Sequence, residues 1–174
     1  MSPAEAVAAS RPRVSVVVVT LNNSLILRSC LQSLVGQDYP ALEIIVIDNG
    51  STEDVVGMVH REFPGVRVTR LDHNAGFAGG NNRGIEQVTG DYVALLNNDA
   101  AAEPTWITAL VRAAERLSRV GAVGSAILDG HAVADGDEAL RLASARPTEI
   151  EDLFEAEIIT AEDRGLLACP TSRQ

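Results

Sequence analysis

The chain has 174 residues, of which 46% are apolar and 3% aromatic, and its formal net charge is −10 at pH 7. This length fits one domain, and the apolar share is enough for an ordinary core built mainly from aliphatic side chains. The acidic balance argues against nucleic acid as a partner, because a phosphate backbone requires a basic protein surface.

The two cysteines and the apolar runs exclude several classes of protein. Cys30 and Cys169 are too few and too far apart for a disulfide framework or a zinc site, and we interpret Cys30 as a buried thiol on the first helix. The N-terminal residues show no signal peptide, and the longest apolar runs have the length of strands, so no transmembrane segment is expected. The expectation is a soluble cytoplasmic protein, with peripheral attachment at the inner face of the membrane left open.

The predicted elements begin after a flexible tail over residues 1–13. Val14–Val19 is a nearly continuous β-branched run, typical of a strand buried on both faces of a parallel sheet. Asn23 or Ser24 can cap the helix that follows. A second buried strand is predicted over Leu42–Ile47.

Helices and strands continue to alternate after the second strand. The pattern predicts helices over 53–63, 80–88 and 104–118, and strands over 66–71, 92–96 and 120–128. This alternation predicts an α/β domain over residues 14–128 with a doubly wound, mostly parallel sheet. Residues 129–174 are an acidic C-terminal segment in which 134–145 and 148–156 are the only predicted helices.

Polar residues stand directly after three of the predicted strands. Thr20 and Asn22 follow the first strand, Asp48 ends the second, and Asn97–Asp99 follows the fourth. Right-handed crossovers gather these three loops along one edge of the sheet, where open α/β sheets place their ligands. Asp99 is well placed there to hold a metal or a ribose, and its alternative reading is a turn or helix-capping aspartate.

A series of motifs in fixed order resembles one enzyme family. The matching segments are Val16–Asn23, Cys30–Leu34, Gln37–Pro40, Glu43–Thr52, Asn74–Gly84 and Leu95–Asp99. Together they resemble the inverting family 2 glycosyltransferases, especially the rhamnosyltransferase-like members, over about residues 14–128. The resemblance implies a GT-A fold, a Rossmann-like nucleotide-diphospho-sugar transferase sandwich, which in this chain would be truncated.

The resemblance also implies a set of donor-binding residues. They are Thr20, Asn22, Asp48, Asn74, Gly76, Asn82, Arg83, Asn97, Asn98 and Asp99. In similar enzymes the aspartate at position 48 accepts a hydrogen bond from the nucleotide base, although Asp48-Asn49-Gly50-Ser51 is also good turn chemistry. Arg83 would reach a phosphate or a base carbonyl, and a surface ion pair with Glu86 or Asp91 is the equal alternative. Phe77 is expected in the core.

Asn97-Asn98-Asp99 occupies the position of the family's D-x-D metal motif. Mg²⁺ and Mn²⁺ prefer hard oxygen ligands, and here Asp99 supplies a carboxylate whereas Asn97 supplies only a neutral oxygen. The resemblance therefore implies a divalent metal at Asp99. The Asn-x-Asp form is common in rhamnosyltransferase-like members.

The function implied is transfer of a sugar from a nucleotide-diphosphate donor to a glycan or lipid-linked acceptor, with inversion. Such transfer needs a general base, which similar enzymes carry in a downstream acceptor half, and no residue of 129–174 is assigned to that role. Three explanations compete: a truncated product, a non-catalytic nucleotide-sugar binder or partner of another subunit, or an unusual acceptor region. An exposed sheet edge or pocket wall also predicts self-association.

Overall fold

The computed structural model describes residues 11–116 and 120–125. The chain divides into two compact units, residues 1–108 and 109–174. The first unit holds the sheet and every candidate site residue. In the described part of the second unit, residues 109–116 continue a helix that starts in the first, and residues 120–125 form neither helix nor strand. The predicted helices over 134–145 and 148–156 lie outside the described residues.

Four strands form one sheet in which every neighbouring pair is parallel. They are β1 (Val14–Thr20), β2 (Leu42–Asp48), β3 (Arg67–Arg70) and β4 (Tyr92–Leu95), in the spatial order β3-β2-β1-β4. The predicted α/β class and parallel sheet are confirmed. The strand expected over 120–128 is wrong for residues 120–125, because Val120 and Val123 alternate there with glycine, alanine and serine, which form strands poorly.

In the part of the chain that the structure describes, four helices connect and flank these strands. They are α1 (Ser24–Val35), α2 (Val55–Glu62), α3 (Gly76–Ile85) and α4 (Trp106–Arg116). Asp54 caps α2 by accepting the backbone N–H of Gly57 at 3.0 Å. No helix in the described ranges is both long and apolar enough to cross a membrane.

The core lies on both faces of β1. Val16, Val17 and Val18 are fully buried, and successive strand residues point to opposite faces, so both faces are covered. The buried side of α1 consists of Leu27, Cys30, Leu31 and Leu34, which share one face of the helix. The interpretation of Cys30 as a buried thiol is confirmed.

Two glycines let α3 lie directly against β1. A Cβ placed on Gly80 would come within 2.6 Å of Val19 Cγ1. A Cβ on Gly84 would overlap Val17 Cγ1 and come within 3.3 Å of Ile47 Cγ1. This packing offsets the poor helix propensity of glycine, and the helix begins at Gly76, four residues before the predicted start at 80. Phe77 points outward and is 67% exposed, so its expected place in the core is wrong.

Strand β4 lies at one edge of the sheet and carries apolar side chains at the surface. Tyr92, Val93 and Leu95 are 37%, 43% and 49% exposed. Within the described residues its only strand neighbour is β1. An apolar edge of this kind favours pairing with another strand, and self-association of the chain stays a prediction.

Glu43 ties the start of β2 to the segment before β4. Its carboxylate accepts hydrogen bonds from the backbone N–H of Thr89 at 2.7 Å, from the Thr89 hydroxyl at 2.8 Å and from the Ser15 hydroxyl. Arg67 Nη1 lies 3.6 Å from the carboxylate. Burial alone would raise the pKa of Glu43, but these hydrogen bonds and the charge of Arg67 outweigh it and lower the pKa.

We expect Gly84→Ala to lower the free energy of unfolding by about 1–3 kcal/mol, because the added methyl group forces α3 away from β1. Urea denaturation followed by circular dichroism measures the change. Gly65→Ala is the matched control, since a Cβ at Gly65 meets nothing within 4 Å. Equal stability of the two variants would contradict the close packing.

We expect Glu43→Gln to destabilise the protein by about 1–3 kcal/mol at pH 7, since charge-assisted hydrogen bonds and the Arg67 pair are lost. A lowered folded-state pKa adds stability above the pKa of the unfolded chain, and this stability disappears as the pH falls through the folded-state pKa. The difference between wild type and variant should therefore shrink on acidification from pH 7 to pH 3. Glu86→Gln, at an exposed ion pair, should change stability little at any pH.

Candidate functional site

The carboxyl ends of β1, β2 and β4 bring three of the predicted site residues together. Thr20 and Asp48 are paired in the register of β1 and β2 and are 2% and 0% exposed. From the loop after β4, Asn98 Nδ2 donates to Thr20 Oγ1 at 3.0 Å. The parallel sheet thus forms the polar edge that the sequence predicts, with Thr20 at its centre.

Asp48 is buried with half of its carboxylate unused. Oδ1 accepts the backbone N–H of Ser51 at 2.9 Å, which is the turn contact considered for this residue. Oδ2 is also buried and accepts no hydrogen bond from any described residue. A buried carboxylate oxygen without a donor is costly, so Oδ2 is suited to receive an N–H from a bound ligand.

Arg70 stands beside this free oxygen. Its Nε lies 3.7 Å from Asp48 Oδ2, too far for a hydrogen bond but close enough for charge attraction. Its Nη2 donates to the backbone carbonyl of Ser51 at 2.5 Å. Arg70 ends β3 opposite Asp48 in the strand register, and the side chain, half exposed, offers a positive charge next to the buried aspartate.

Asn22 joins the loops after β1 and β2. Its backbone adopts a φ of 51°, in the left-handed region that asparagine tolerates. The side-chain oxygen accepts from the backbone N–H and the hydroxyl of Thr52 at 2.6 Å and 3.0 Å, and the Asn22 N–H donates to Ser51 Oγ. The contact of Asn22 with a sugar donor stays a prediction, while its structural role is visible.

Asn49 holds the glycine-rich loop against the end of β2. Its side-chain nitrogen donates to Asn74 Oδ1 at 2.8 Å and to the Gly76 carbonyl at 3.2 Å, and its side-chain oxygen accepts the N–H of Ala75 at 2.9 Å. Asn74 Oδ1 also accepts the Gly76 N–H at 2.9 Å. Gly50 follows with a φ of 85°, where a side chain would be strained. Asn74 and Gly76 are therefore fixed beside the Asp48 turn.

Asn82 and Arg83 lie on the outer side of α3, and both are exposed. Arg83 Nη1 is 3.0 Å from Glu86 Oε2, the ion pair considered as the alternative role. An exposed pair of this type contributes about 0–1 kcal/mol, so a stronger anion can displace it. Donor contacts from these two residues stay predictions.

Asp99 follows Asn98 on the exposed side of the loop. In the described part of the chain its carboxylate makes no hydrogen bond or ion pair, and its negative charge contributes to the raised pKa of Cys30. The Asn97 carbonyl accepts from Cys30 Sγ at 3.6 Å and from the Ala100 N–H at 3.1 Å. Asn97 thus fixes the turn through its backbone, and Asn98 faces Thr20.

The Asp99 carboxylate is suited to supply one ligand of a divalent metal site. The described residues contain no group of three or more metal-binding side chains. Mg²⁺ in nucleotide enzymes is commonly held by one or two carboxylates, with substrate phosphates and water supplying the other oxygens. A single free carboxylate at the polar edge of the sheet matches that arrangement, and the metal role of Asp99 stays a prediction.

Sequence reasoning missed three residues of this edge. The sequence presents Asn49 and Ser51 only as turn chemistry, and Arg70 only as a residue of the third predicted strand. For Arg70 the available signal was its register, since a cation at the end of β3 falls next to the end of β2. Asn49 makes three contacts with a loop 25–27 residues away. No sequence signal distinguishes it from any other turn asparagine.

Comparison with known proteins relates the chain to sugar transferases. The family model described as Glycosyl transferase family 2 matches residues 15–162. An uncharacterised glycosyltransferase of Escherichia coli, YibD, is 37% identical over 105 residues, which are 59% of this chain and 30% of YibD. A GalNAc(5)-diNAcBac-PP-undecaprenol beta-1,3-glucosyltransferase of Campylobacter jejuni is 32% identical over 92 residues, which are 51% of this chain and 30% of that protein.

Solved structures agree with these sequence relatives. The mannosyltransferase PcManGT from Pyrobaculum calidifontis, in complex with GDP-Man and Mn²⁺, superposes with a TM-score of 0.59 and 28% identity, covering 70% of this chain and 37% of PcManGT. In these three comparisons the chain spans 30–37% of the length of the proteins it matches.

We expect the Cys30 thiol to be unreactive until the protein unfolds. Burial first, and the charge of Asp99 second, raise its pKa from 9.0 to about 12. At pH 8 this makes the reactive thiolate roughly 1000-fold scarcer than in the unfolded chain. Alkylation by iodoacetamide, followed on the Cys30 peptide by mass spectrometry with and without urea, measures the difference. Equal rates in the two conditions would contradict it.

Proposed function

Because this chain belongs to glycosyl transferase family 2, we propose that it binds a nucleotide-diphosphate sugar at the polar edge of its sheet. Oδ2 of buried Asp48, which accepts no hydrogen bond from any described residue, carries this proposal. A ring N–H of a pyrimidine or guanine base is the donor that such an oxygen requires. Thr20 and Asn98 would line the pocket beside it, and Asn74 and Gly76 would frame it.

The diphosphate would then extend toward the loop after β4. A divalent metal, Mg²⁺ or Mn²⁺, would be held by Asp99 and would neutralise the charge of the leaving diphosphate. Asn97 and Asn98 set the turn that presents Asp99. The complex of PcManGT with GDP-Man and Mn²⁺ supports this choice of ligands. Arg83 and Asn82, on the outer side of α3, are the remaining donor contacts that we propose.

We propose that the donor sugar is transferred with inversion to a glycan or a lipid-linked acceptor. Inversion follows when the acceptor hydroxyl attacks the anomeric carbon from the side opposite the leaving diphosphate, while a general base takes its proton. The undecaprenol-linked glycan named for the Campylobacter relative supports the lipid-linked class of acceptor. Rhamnose is the sugar to test first, since Asn97-Asn98-Asp99 has the form common in rhamnosyltransferase-like enzymes.

Donor binding without transfer is the second candidate function. The chain spans about a third of the relatives it matches, and no residue is assigned as the general base. Release of free sugar or formation of a glycosylated acceptor, measured after nucleotide binding has been established, separates the two. Tight donor binding with no turnover on a panel of polyprenyl-linked acceptors would favour the binding protein.

Titration calorimetry of the 174-residue chain with UDP, dTDP and GDP, with and without Mn²⁺, tests the proposal. We expect Asp48→Ala to weaken binding by about 10–100-fold in either condition, because a hydrogen bond to a charged group is lost. Asp99→Ala should remove only the gain that Mn²⁺ provides. Asp72→Ala is the control, since Asp72 is an exposed carboxylate in the loop between β3 and α3. A folded chain that binds none of the three nucleotides would refute the proposal.

A further inference from the structure

Polar groups at the end of α1 hold the whole segment that joins β4 to α4. We propose that Cys30, Ser33, Gln37 and Asp38, called here the α1 anchors, position Asp99 for the metal-bound diphosphate. This inference rests on the proposed function. It gives a role to the motifs Cys30–Leu34 and Gln37–Pro40, which lie outside the donor-binding residues.

The first two anchors bracket Asp99 along the chain. Cys30 Sγ donates to the Asn97 carbonyl at 3.6 Å, two residues before Asp99. Ser33 Oγ accepts the backbone N–H of Ala102 at 3.0 Å, three residues after it. The Ser33 hydroxyl donates in turn to the Cys30 carbonyl at 2.7 Å, which fixes its orientation.

The other two anchors bind the chain that continues from this turn into α4. Gln37 Nε2 donates to the Glu103 carbonyl at 2.7 Å, and Gln37 Oε1 accepts the N–H of Ile107 at 3.1 Å. The backbone N–H of Asp38 donates to the Pro104 carbonyl at 2.9 Å. Asp38 Oδ1 accepts the hydroxyl of Thr108 at 2.6 Å.

The spacing of the anchors follows from the geometry of the helix. Cys30 and Ser33 are three residues apart in α1 and therefore lie on one face. Gln37 follows the end of the helix, where its N–H donates to the Leu34 carbonyl at 3.3 Å and its side chain donates back to the Ser33 carbonyl at 3.1 Å. Two anchors thus lie on one face of α1, and the other two follow directly after its C-terminal end.

The anchored segment has little structure of its own. Residues 97–105 contain no helix or strand, so their conformation depends on contacts with other elements. Asn98 is held by Thr20 from the sheet, and Asn97 and Ala102 are held from α1. Asp99 lies between these fixed points with its carboxylate free. A ligand presented by a rigid support binds a metal more tightly than one on a loose loop.

The experiment compares Ser33→Ala and Gln37→Met with wild type in the full chain. Each variant removes anchor hydrogen bonds and nearly keeps side-chain volume. Affinity for the nucleotide found best in the calorimetry is measured with and without Mn²⁺. We expect the Mn²⁺-dependent gain to fall about 10-fold or more, as for other residues that orient a metal ligand, while affinity without metal stays unchanged. Hydrogen exchange without ligand should be faster at Ala102 in Ser33→Ala and at Ile107 in Gln37→Met.

Ser29→Ala is the matched control, because Ser29 is an exposed serine on the same helix, one turn before Ser33. It should leave both the Mn²⁺-dependent gain and the exchange rates unchanged. Ser33→Thr keeps the hydroxyl and should restore most of the gain. Melting temperatures separate a local effect from loss of the fold, since an unfolded variant would also lose its metal-free affinity.

The outcomes separate the two proposals. If wild type shows Mn²⁺-dependent binding and the anchor variants keep all of it, the positioning role is refuted and the proposed function stands. Unchanged hydrogen exchange over residues 97–107 in both variants refutes the positioning role by itself. A wild-type chain that binds no nucleotide in either condition refutes the proposed function and the positioning role together.

Discussion

The candidate site depends on the parallel arrangement of β1 with both of its neighbours. Because β2 and β4 run in the same direction as β1, the loops that follow Thr20, Asp48 and Leu95 meet at one edge. The close packing of α3 against β1 supports this arrangement, since Gly80 and Gly84 leave no room for side chains between helix and strand. The same contact positions the loop that precedes α3 relative to the end of the sheet, and Asn49 fixes that loop beside Asp48.

The sequence predicts the elements that repeat a simple pattern and misses those set by distant contacts. Continuous β-branched residues identify β1 and β2, because a strand buried on both faces has no polar face. Residues 120–125 are apolar enough to suggest a strand, but they form none, since the glycine, alanine and serine between and after the valines form strands poorly. The position of Thr20 and Asp48 at the ends of strands predicts them as site residues. Arg70 instead reaches Asp48 across the pairing of β3 with β2, and Asn49 reaches the loop before α3. Such contacts depend on the folded geometry and carry no local signal.

Asparagine side chains carry much of the loop structure at this edge. Asn22, Asn49, Asn74 and Asn98 each bond to another loop or to a strand end. A carboxamide both donates and accepts without charge, so it can join two loops without the desolvation cost of a buried ion. Among the candidate site residues, the two carboxylates are those of Asp48, which is buried, and Asp99, which lies on the exposed side of its loop. In the proposed function, base recognition at Asp48 and charge neutralisation at Asp99 would be carried by different loops.

The edge of the sheet at β4 is exposed and apolar, so a further strand fits there. A strand added beside β4 would be separated from Asp48 by β4 and β1, and its side chains would approach the Asp99 loop first. If the chain binds a nucleotide sugar as proposed, additions at this edge would meet the sugar end of the donor and leave the contacts at Asp48 unchanged. Under the proposed function, such a domain would exchange the acceptor of the sugar while keeping the same nucleotide.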